Sequence, residues 1–365
     1  MRQIWTHGEI SRIQIAKNLE LDKSTISSIV SELIEIGIIS ETNEGAAGPQ
    51  GGRKPVLLRL NAAWGSILGM ELRPEGYAGV AVDLEGRVIG SWTGEMQIKG
   101  TNLRESFLAA AERIRGEMTS CPSLLGIGIG LSGVVNPQKG IIRYSIPLQI
   151  EQPWEFHHLV SEGYDLPVFV ENDANACAWG ELAFHRSRHL RDFLFVLVEF
   201  RTIAEPTRVH ERTAVGMGVV VGSRVHYGHD FSAGEFRSVL RAESSLGQFS
   251  FGPEESARIE EDPIVLERFL RELSRNIALL VNTFNMGDVF LGGHIERYRD
   301  RVAAILREEI QRNWPYPDEV RCRVHFSSLG DQAVAYGAAG MLLDRLMRSD
   351  SFPVVRETQE HRIRF

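Results

Sequence analysis

The segment PVFVENDANACAWGE at residues 167–181 contains the residue types best suited to chemistry in this chain. An apolar strand pattern brings Glu171, Asn172 and Asp173 to its C-terminal end, immediately before a helix of small residues, which is where α/β sheets bind ligands. An amide beside a carboxylate can hold neighbouring hydroxyls of a polyol, with Asp173 as acceptor or base. Asn and Asp also favour turns, so this segment alone leaves a simple strand-end turn open.

The first sixty residues have the pattern of a DNA-binding module. A helix is predicted over Ile10–Leu19, and a second helix begins after Asp22, whose carboxylate is expected to accept hydrogen bonds from the next backbone amides. Apolar residues recur at three and four positions on one face of the second helix: Ile26, Ile29, Val30, Leu33 and Ile34. Its other face carries small polar residues and one cation suited to phosphates and base edges: Lys23, Ser24, Thr25, Ser27 and Ser28.

A hairpin with a long glycine-rich tip is predicted after these helices, with strands at Ile38–Ser40 and Val56–Leu60. Arg53 and Lys54 on that tip suit a wing that contacts the DNA backbone or enters a narrow minor groove. Residues 1–60 contain seven basic and seven acidic side chains, so affinity must come from a local basic edge and from two modules in a dimer. A small helical interaction module is the alternative for this region.

Length and composition agree with a division into domains. The chain has 365 residues, 43% of them hydrophobic and 24% charged, and a net charge of −8, which argues against general coating of nucleic acid or membrane. It has no membrane-spanning run and no signal-peptide core at its start, so we expect a cytoplasmic protein. Its three cysteines, Cys121, Cys177 and Cys322, show no CxxC spacing and predict neither disulfides nor a zinc knuckle.

From Trp64 onward the pattern is rich in strands and then alternates strands with helices. The predicted strands are Ser66–Leu72, Tyr77–Asp83, Arg87–Thr93, Leu124–Leu131, Val168–Val170, Val215–Val221 and Val289–Leu291. The predicted helices are Leu103–Met118, Trp154–Glu162, Pro263–Asn285 and Gln332–Leu346.

Five motifs in this order resemble the ROK (repressor, open reading frame, kinase) family: GIGIGLSGVVNPQKG at 126–140, VFVENDANACAWGE at 168–181, AGEF at 233–236, VFLGGHIE at 289–296 and SSLGDQAVAYGAAGMLL at 327–343. The resemblance, of the NagC/XylR type, implies an α/β fold with a two-lobed, actin-like ATPase (ribonuclease H-like) domain behind a winged helix-turn-helix. The implied domains are residues 1–62, an N-terminal lobe at 63–182, and a C-terminal lobe at 183–329. The helix at 330–348 is expected to pack back on the N-terminal lobe.

The resemblance also implies a sugar site. Asn172, Asp173, Glu235 and Gly133 would contact the sugar, with Asp173 at the position of the kinases' catalytic base, although we expect it to be non-catalytic here. Ser238 stands where the family has a histidine that binds both sugar and zinc, and residues 242–255 contain no cysteine for a zinc site. We therefore predict no structural metal.

Kinase chemistry is expected to be lost. Where the family has a glycine-rich hairpin for phosphate, this chain has Met70-Glu71-Leu72-Arg73-Pro74-Glu75-Gly76, in which Pro74 removes an amide donor and the two glutamates repel a nucleotide. The second phosphate turn retains only Gly216 and Gly218, after the atypical polar stretch 199–213. Phosphoryl transfer depends on groups that position phosphate and metal, and these groups are lost here. No cofactor is therefore predicted.

The sequence thus predicts a DNA-binding transcriptional regulator of carbohydrate metabolism, expected to be a repressor. Its partners would be a double-stranded DNA operator and a sugar or sugar-phosphate effector, in a homodimer or homotetramer with no membrane association. The alternative is an ATP-dependent hexose kinase with a regulatory N-terminal domain. A regulator whose effector domain binds a partner protein is a third possibility.

Overall fold

The computed structural model describes residues 1–44, 55–156, 166–185, 188–201, 213–241 and 247–348. Within these ranges an N-terminal helical module precedes two lobes, each built on a five-stranded mixed sheet. This confirms the α/β fold class. No helix among the described residues is both long and apolar enough to cross a bilayer.

The N-terminal module consists of three short helices and a three-stranded antiparallel sheet in the order β1-β3-β2. Its elements are α1 (Arg2–His7), β1 (Ile10–Ser11), α2 (Arg12–Leu19), α3 (Lys23–Glu35), β2 (Ile39–Glu44) and β3 (Val56–Leu60). These elements are consistent with the predicted winged helix-turn-helix. The tip that contains Arg53 and Lys54 lies outside the described residues.

Three details of this module differ from the sequence predictions. Ile10 and Ser11 form a strand rather than a helix, and the Ser11 side chain caps α2 by accepting from the Gln14 amide at 3.2 Å. Asp22 occupies the N-cap of α3, but its carboxylate makes no capping hydrogen bond. Ile29 is 45% exposed rather than buried, because it lies beside the polar face of α3.

The N-terminal lobe has a sheet in the order β11-β7-β4-β5-β6, in which β4, β7 and β11 are parallel. Its elements are β4 (Ser66–Arg73), β5 (Gly76–Asp83), β6 (Val88–Glu95), α4 (Leu103–Glu117), β7 (Leu124–Leu131), β8 (Val134–Asn136), β9 (Ile141–Tyr144), β10 (Trp154–Glu155), β11 (Val168–Asn172) and α5 (Asp173–Phe184). Strands β8, β9 and β10 form a separate small sheet.

The C-terminal lobe repeats this plan with the strand order β14-β13-β12-β15-β16. Its elements are β12 (Phe193–Phe200), β13 (Thr213–Val221), β14 (Arg224–Val225), α6 (Pro253–Ala257), α7 (Pro263–Phe284), β15 (Asp288–Gly293), α8 (Arg299–Arg312) and β16 (Arg323–Phe326). The last helix, α9 (Ala333–Arg348), returns to the N-terminal lobe and packs on α5, β4 and β7.

Glycines allow α9 to lie directly on its neighbours. A Cβ on Gly69 of β4 would lie 1.9 Å from the Ala335 carbonyl oxygen, and a Cβ on Gly337 would lie 1.9 Å from that of Ala176 in α5. Real Cβ atoms do not approach so closely, so helix and sheet are in backbone contact. Helix α1 packs against α9 as well, and buried side chains of both helices belong to one hydrophobic cluster.

Several elements of the two lobes differ from the sequence predictions or were not predicted. The helix expected over Trp154–Glu162 is wrong at its start, because Trp154 and Glu155 pair with β9 as a strand, and residues 157–165 lie outside the described ranges. Helix α8 was not predicted at all.

Candidate functional site

A cleft of about 1,420 Å³ opens at the carboxyl ends of the parallel strands and is bounded by residues of both lobes. The first lobe contributes the β4–β5 hairpin, Ser132 and Asp173, and the second contributes the ends of β12 and β15. The first residues of α9 complete the wall. This is the position at which open α/β sheets bind ligands.

Asn172 holds the predicted ligand site together. It is the N-cap of α5, where its Oδ1 accepts from the Asn175 amide at 3.0 Å. Its Nδ2 donates to the Gly133 carbonyl at 3.0 Å and to Asp173 Oδ1 at 2.9 Å. Both N–H groups therefore have protein partners, so Asn172 fixes the geometry of Asp173 before any ligand arrives.

Asp173 is the central acceptor of the site and is only 8% exposed. Ser132 Oγ donates to its Oδ2 at 2.5 Å, and the Ala174 amide donates to its Oδ1 at 2.8 Å. Burial is the largest cause that raises the pKa of Asp173, followed by the charge of Glu199. These donors fix both oxygens of the carboxyl group and leave it suited to accept a ligand hydroxyl.

Arg201 connects the two lobes at this point. Its Nη2 donates to Ser132 Oγ at 3.0 Å and to Glu199 Oε2 at 2.6 Å. A chain of contacts thus runs from Glu199 through Arg201 and Ser132 to Asp173. Neither Ser132 nor Arg201 was assigned a role from the sequence, because only the meeting of the two lobes brings them together.

Gly133 and Glu235 lie close to this centre. Gly133 has a φ of 139°, and a Cβ there would lie 2.3 Å from the Tyr144 carbonyl oxygen. Glu235 pairs with Gly216 by a single β-bridge, and Gly216 adjoins Asp173. Desolvation and then the Asp173 charge raise the pKa of Glu235, although its side chain is exposed and does not line the deep cleft.

A buried network fixes the segment that leads to Glu235. Tyr227 donates its hydroxyl to Glu171 Oε2 at 2.7 Å and accepts from Trp179 Nε1 at 3.2 Å. Glu171 is fully buried, and burial raises its pKa to about 7. Arg143 adds a second clamp, because its Nη1 donates to the Asp230 carbonyl at 2.6 Å.

The β4–β5 hairpin is unsuited to phosphate. Glu71 is only 5% exposed, and burial raises its pKa to about 8. Arg73 Nε lies 4.0 Å from Oε1 of both Glu71 and Glu75 and has no hydrogen-bond partner. Pro74 supplies no amide at the turn.

The glycines at the family's phosphate turns pack against neighbouring elements. Gly216, Met217 and Gly218 lie inside β13, in agreement with the strand predicted over Val215–Val221. A Cβ on Gly218 would lie 2.6 Å from the Ala174 carbonyl oxygen, so this glycine lets β13 approach α5. Gly293 lines the cleft with a φ of 79°, and a Cβ there would lie 2.4 Å from the Val198 carbonyl oxygen.

The family's zinc site has no equivalent donors here. Ser238 is buried, and its hydroxyl accepts from Asn276 Nδ2 at 3.0 Å and from the Leu240 amide at 3.1 Å. No group of three His, Cys, Asp or Glu side chains capable of holding a metal occurs among the described residues. A metal therefore does not fit at Ser238, whose hydroxyl binds the long helix α7 instead.

The predicted DNA-contacting side chains of α3 share one surface. Lys23, Ser24, Thr25, Ser27 and Ser28 are all exposed. Ile26 and Val30 face the module's core and are 3% exposed. The helix therefore presents its polar face outward.

Comparison with known proteins identifies a family match and individual relatives of this chain. A sequence model of the ROK family matches residues 96–238, which include Ser132, Asn172, Asp173 and Glu235. The chain therefore contains a ROK family domain over these residues. A putative xylose repressor of a Caldicellulosiruptor species is 31% identical over 240 residues, which cover 64% of this chain but only 56% of that protein. The xylose repressor of Caldicellulosiruptor bescii is 25% identical over 97% of this chain and 96% of its own length.

Solved structures of ROK proteins have the same fold. A ROK family transcriptional regulator, a homologue of the E. coli MLC protein, has a TM-score of 0.74 and 22% identity and covers 93% of each chain. A ROK family glucokinase from Streptomyces griseus, in complex with glucose and AMPPNP, has a TM-score of 0.57 and 20% identity. It covers 76% of this chain and 98% of its own.

Proposed function

We propose that this ROK protein is a transcriptional repressor of carbohydrate-metabolism genes that responds to a sugar and does not transfer phosphate. The observation that carries the proposal is the placement of α9. The first residues of α9 line the cleft, and the helix packs against α1 of the winged-helix module within one hydrophobic cluster. One rigid element therefore contacts both the ligand site and the predicted DNA-binding module.

The sugar side of the cleft supports a ligand rich in hydroxyls. Asp173 is fixed by Ser132, Ala174 and Asn172, and its charge also acts on Glu235, whose side chain lies outside the deep cleft. The relatives named as xylose repressors support the same class of ligand. The chain's own sugar is left to experiment.

The nucleotide side supports the absence of kinase activity. A triphosphate needs backbone amides and a metal, whereas this side offers Pro74 and the carboxyl groups of Glu71 and Glu75. The glycines of β13 are occupied by packing against α5. Asp173 could remove a proton from a sugar hydroxyl, but no phosphoryl group would be in place for that oxygen to attack.

The DNA partner is proposed to be an operator bound by a dimer. The module's equal numbers of basic and acidic residues give one copy little general attraction for phosphate, so two α3 helices on successive half-sites are needed for tight binding. Sugar binding would alter how the two modules are held.

The test is DNA binding by the full-length protein, with operators selected from fragmented genomic DNA and binding followed by fluorescence anisotropy. We expect one sugar of a hexose, pentose and amino-sugar panel to shift the apparent Kd at least tenfold, in line with typical coupling energies of about 1–3 kcal/mol. Asp173→Asn should abolish the shift and leave operator binding unchanged. A coupled assay that detected sugar-dependent ATP consumption lost in Asp173→Asn would favour the kinase instead.

A further inference from the structure

The hairpin end of the cleft contains a buried carboxyl group, Glu71, whose one partner among the described residues is a distant arginine. Glu71 lines the cleft, is 95% buried, and makes no hydrogen bond within the described part of the chain. Its nearest cation, Arg73 Nε, is 4.0 Å from Oε1, and that nitrogen is buried and unbonded too. Buried polar groups in folded proteins are almost always paired, so this end of the cleft is built for a polar ligand group.

The charges around the cleft indicate the sign of that group. Seven carboxyl side chains line it against three arginines. Two of the arginines are already paired, Arg201 with Glu199 at 2.6 Å and Arg297 with Glu260 at 2.5 Å. The third, Arg73, is shared between Glu71 and Glu75. Such a cavity repels phosphate and concentrates cations.

We propose that the cleft binds an amine-bearing sugar, whose ammonium group lies at Glu71 and whose hydroxyls lie toward Asp173. The inference rests on the proposed function above, since it names the ligand class for the same site. Glu71 and Asp173 line one cavity, and the charge of Asp173 contributes to raising the pKa of Glu71. One ligand in this cavity would contact both.

Binding of such a ligand is coupled to a proton. Burial raises the pKa of Glu71 to about 8, the charge of Arg73 opposes this, and Glu199, Asp173 and Glu75 add to it. At pH 6.5 both Glu71 and the amine are protonated before binding. When the ligand binds as an ammonium–carboxylate pair, Glu71 loses its proton and the amine keeps its own. Binding at this pH therefore releases about one proton. A neutral sugar releases none.

The experiment is titration calorimetry on the full-length protein at pH 6.5, in two buffers of different ionisation enthalpy. The probes are glucosamine, galactosamine and mannosamine, each with its parent hexose and its N-acetyl derivative, together with glucose 6-phosphate. We expect at least one amine to bind on the order of tenfold more tightly than its parent and its N-acetyl form, as for a hydrogen bond to a charged group. Glucose 6-phosphate should bind more weakly than glucose.

Two variants assign the preference to Glu71. Glu71→Gln keeps the shape of the side chain and should bring amine and parent hexose within about twofold of each other, with no proton release. Glu75→Gln removes an exposed carboxylate from the same hairpin and should alter the preference less than threefold, because solvent screens exposed charges. Operator binding by each variant checks that it is folded.

Three results would overturn the inference: no amine preference in the panel, a preference that survives Glu71→Gln, or tightest binding of the sugar phosphate. A different result would refute the proposed function. If neutral sugars release operator DNA and amines have no advantage, only the ligand class is wrong. If no sugar changes DNA binding, the sugar-responsive repressor is refuted as well.

Discussion

Removing the Tyr227 hydroxyl should destabilise the protein by an amount that grows with pH. The hydroxyl donates to Glu171 Oε2 at 2.7 Å, in a place where Glu171 has no exposure to water. In Tyr227→Phe the ring remains, while Glu171 loses a donor and Trp179 Nε1 loses its acceptor. The perturbation is therefore confined to one buried network.

The magnitude follows from the protonation state of Glu171. Its pKa is raised from 4.5 to about 7 by burial, so the folded protein binds the proton more tightly than the unfolded chain, and stability falls as pH rises from about 4.5 to 7. Tyr227 counteracts this by stabilising the ionised form, and its loss raises the pKa further. We expect the substitution to cost about 1 kcal/mol at pH 5, with Glu171 neutral, and about 2–3 kcal/mol at pH 8.5.

Urea unfolding followed by tryptophan fluorescence, at half-unit steps from pH 5 to 8.5, measures this difference. Tyr336→Phe is the matched control, because the Tyr336 hydroxyl donates at 3.1 Å to the Gly86 carbonyl, which does not titrate. Its cost should be independent of pH. A cost for Tyr227→Phe that was constant, or smaller at pH 8.5 than at pH 5, would refute this account of Glu171.

Three further changes test other parts of the molecule. Lys23→Ala should weaken operator binding about equally across operator sequences and reduce the slope of log K against log salt by about 1, as measured by anisotropy; an unchanged slope would remove Lys23 from the phosphate contacts. Gly234→Ala should destabilise by more than about 2 kcal/mol in thermal unfolding, because φ is 93° and its Cβ would lie 1.8 Å from the Met217 carbonyl oxygen; a neutral result would mean that β13 moves away easily. Ser238→Ala should cost about 1 kcal/mol, because Asn276 Nδ2 loses an acceptor, and elemental analysis should find no zinc in either protein.

The strands and helices of the two lobes could largely be predicted from hydrophobic periodicity. Leu124–Leu131 has the predicted bounds, and Val215–Val221 is two residues short at its start. Trp154–Glu162 failed because its apolar spacing suits a helix, while pairing with β9 decides the local structure. The predicted burial of Ile29 is wrong, because helix periodicity identifies an apolar face but does not show how much of that face the core covers.

The site could be predicted only in part, for a reason that lies in the topology. Asn172 and Asp173 could be predicted as site residues because the strand end, the polar side chains and the helix start are adjacent in sequence. Arg201 and Tyr227 act across the lobe boundary, on Ser132 and Glu171, and these pairs are 69 and 56 residues apart. A single sequence has no local signal for such contacts.

The position of α9 limits how a ligand can act on the DNA-binding module. Gly69 and Gly337 bring its backbone into contact with β4 and α5, so α9 cannot move alone without breaking that close packing. A ligand that draws the C-terminal lobe toward Asp173 must therefore shift α9 together with the N-terminal lobe. In the proposed dimer, the alternative is that α9 stays in place and the arrangement of the two protomers changes. Coupling energies of about 1–3 kcal/mol are far smaller than the cost of separating such a core. For the proposed dimer, this architecture therefore favours a rigid-body change in the spacing of the two predicted DNA-binding modules.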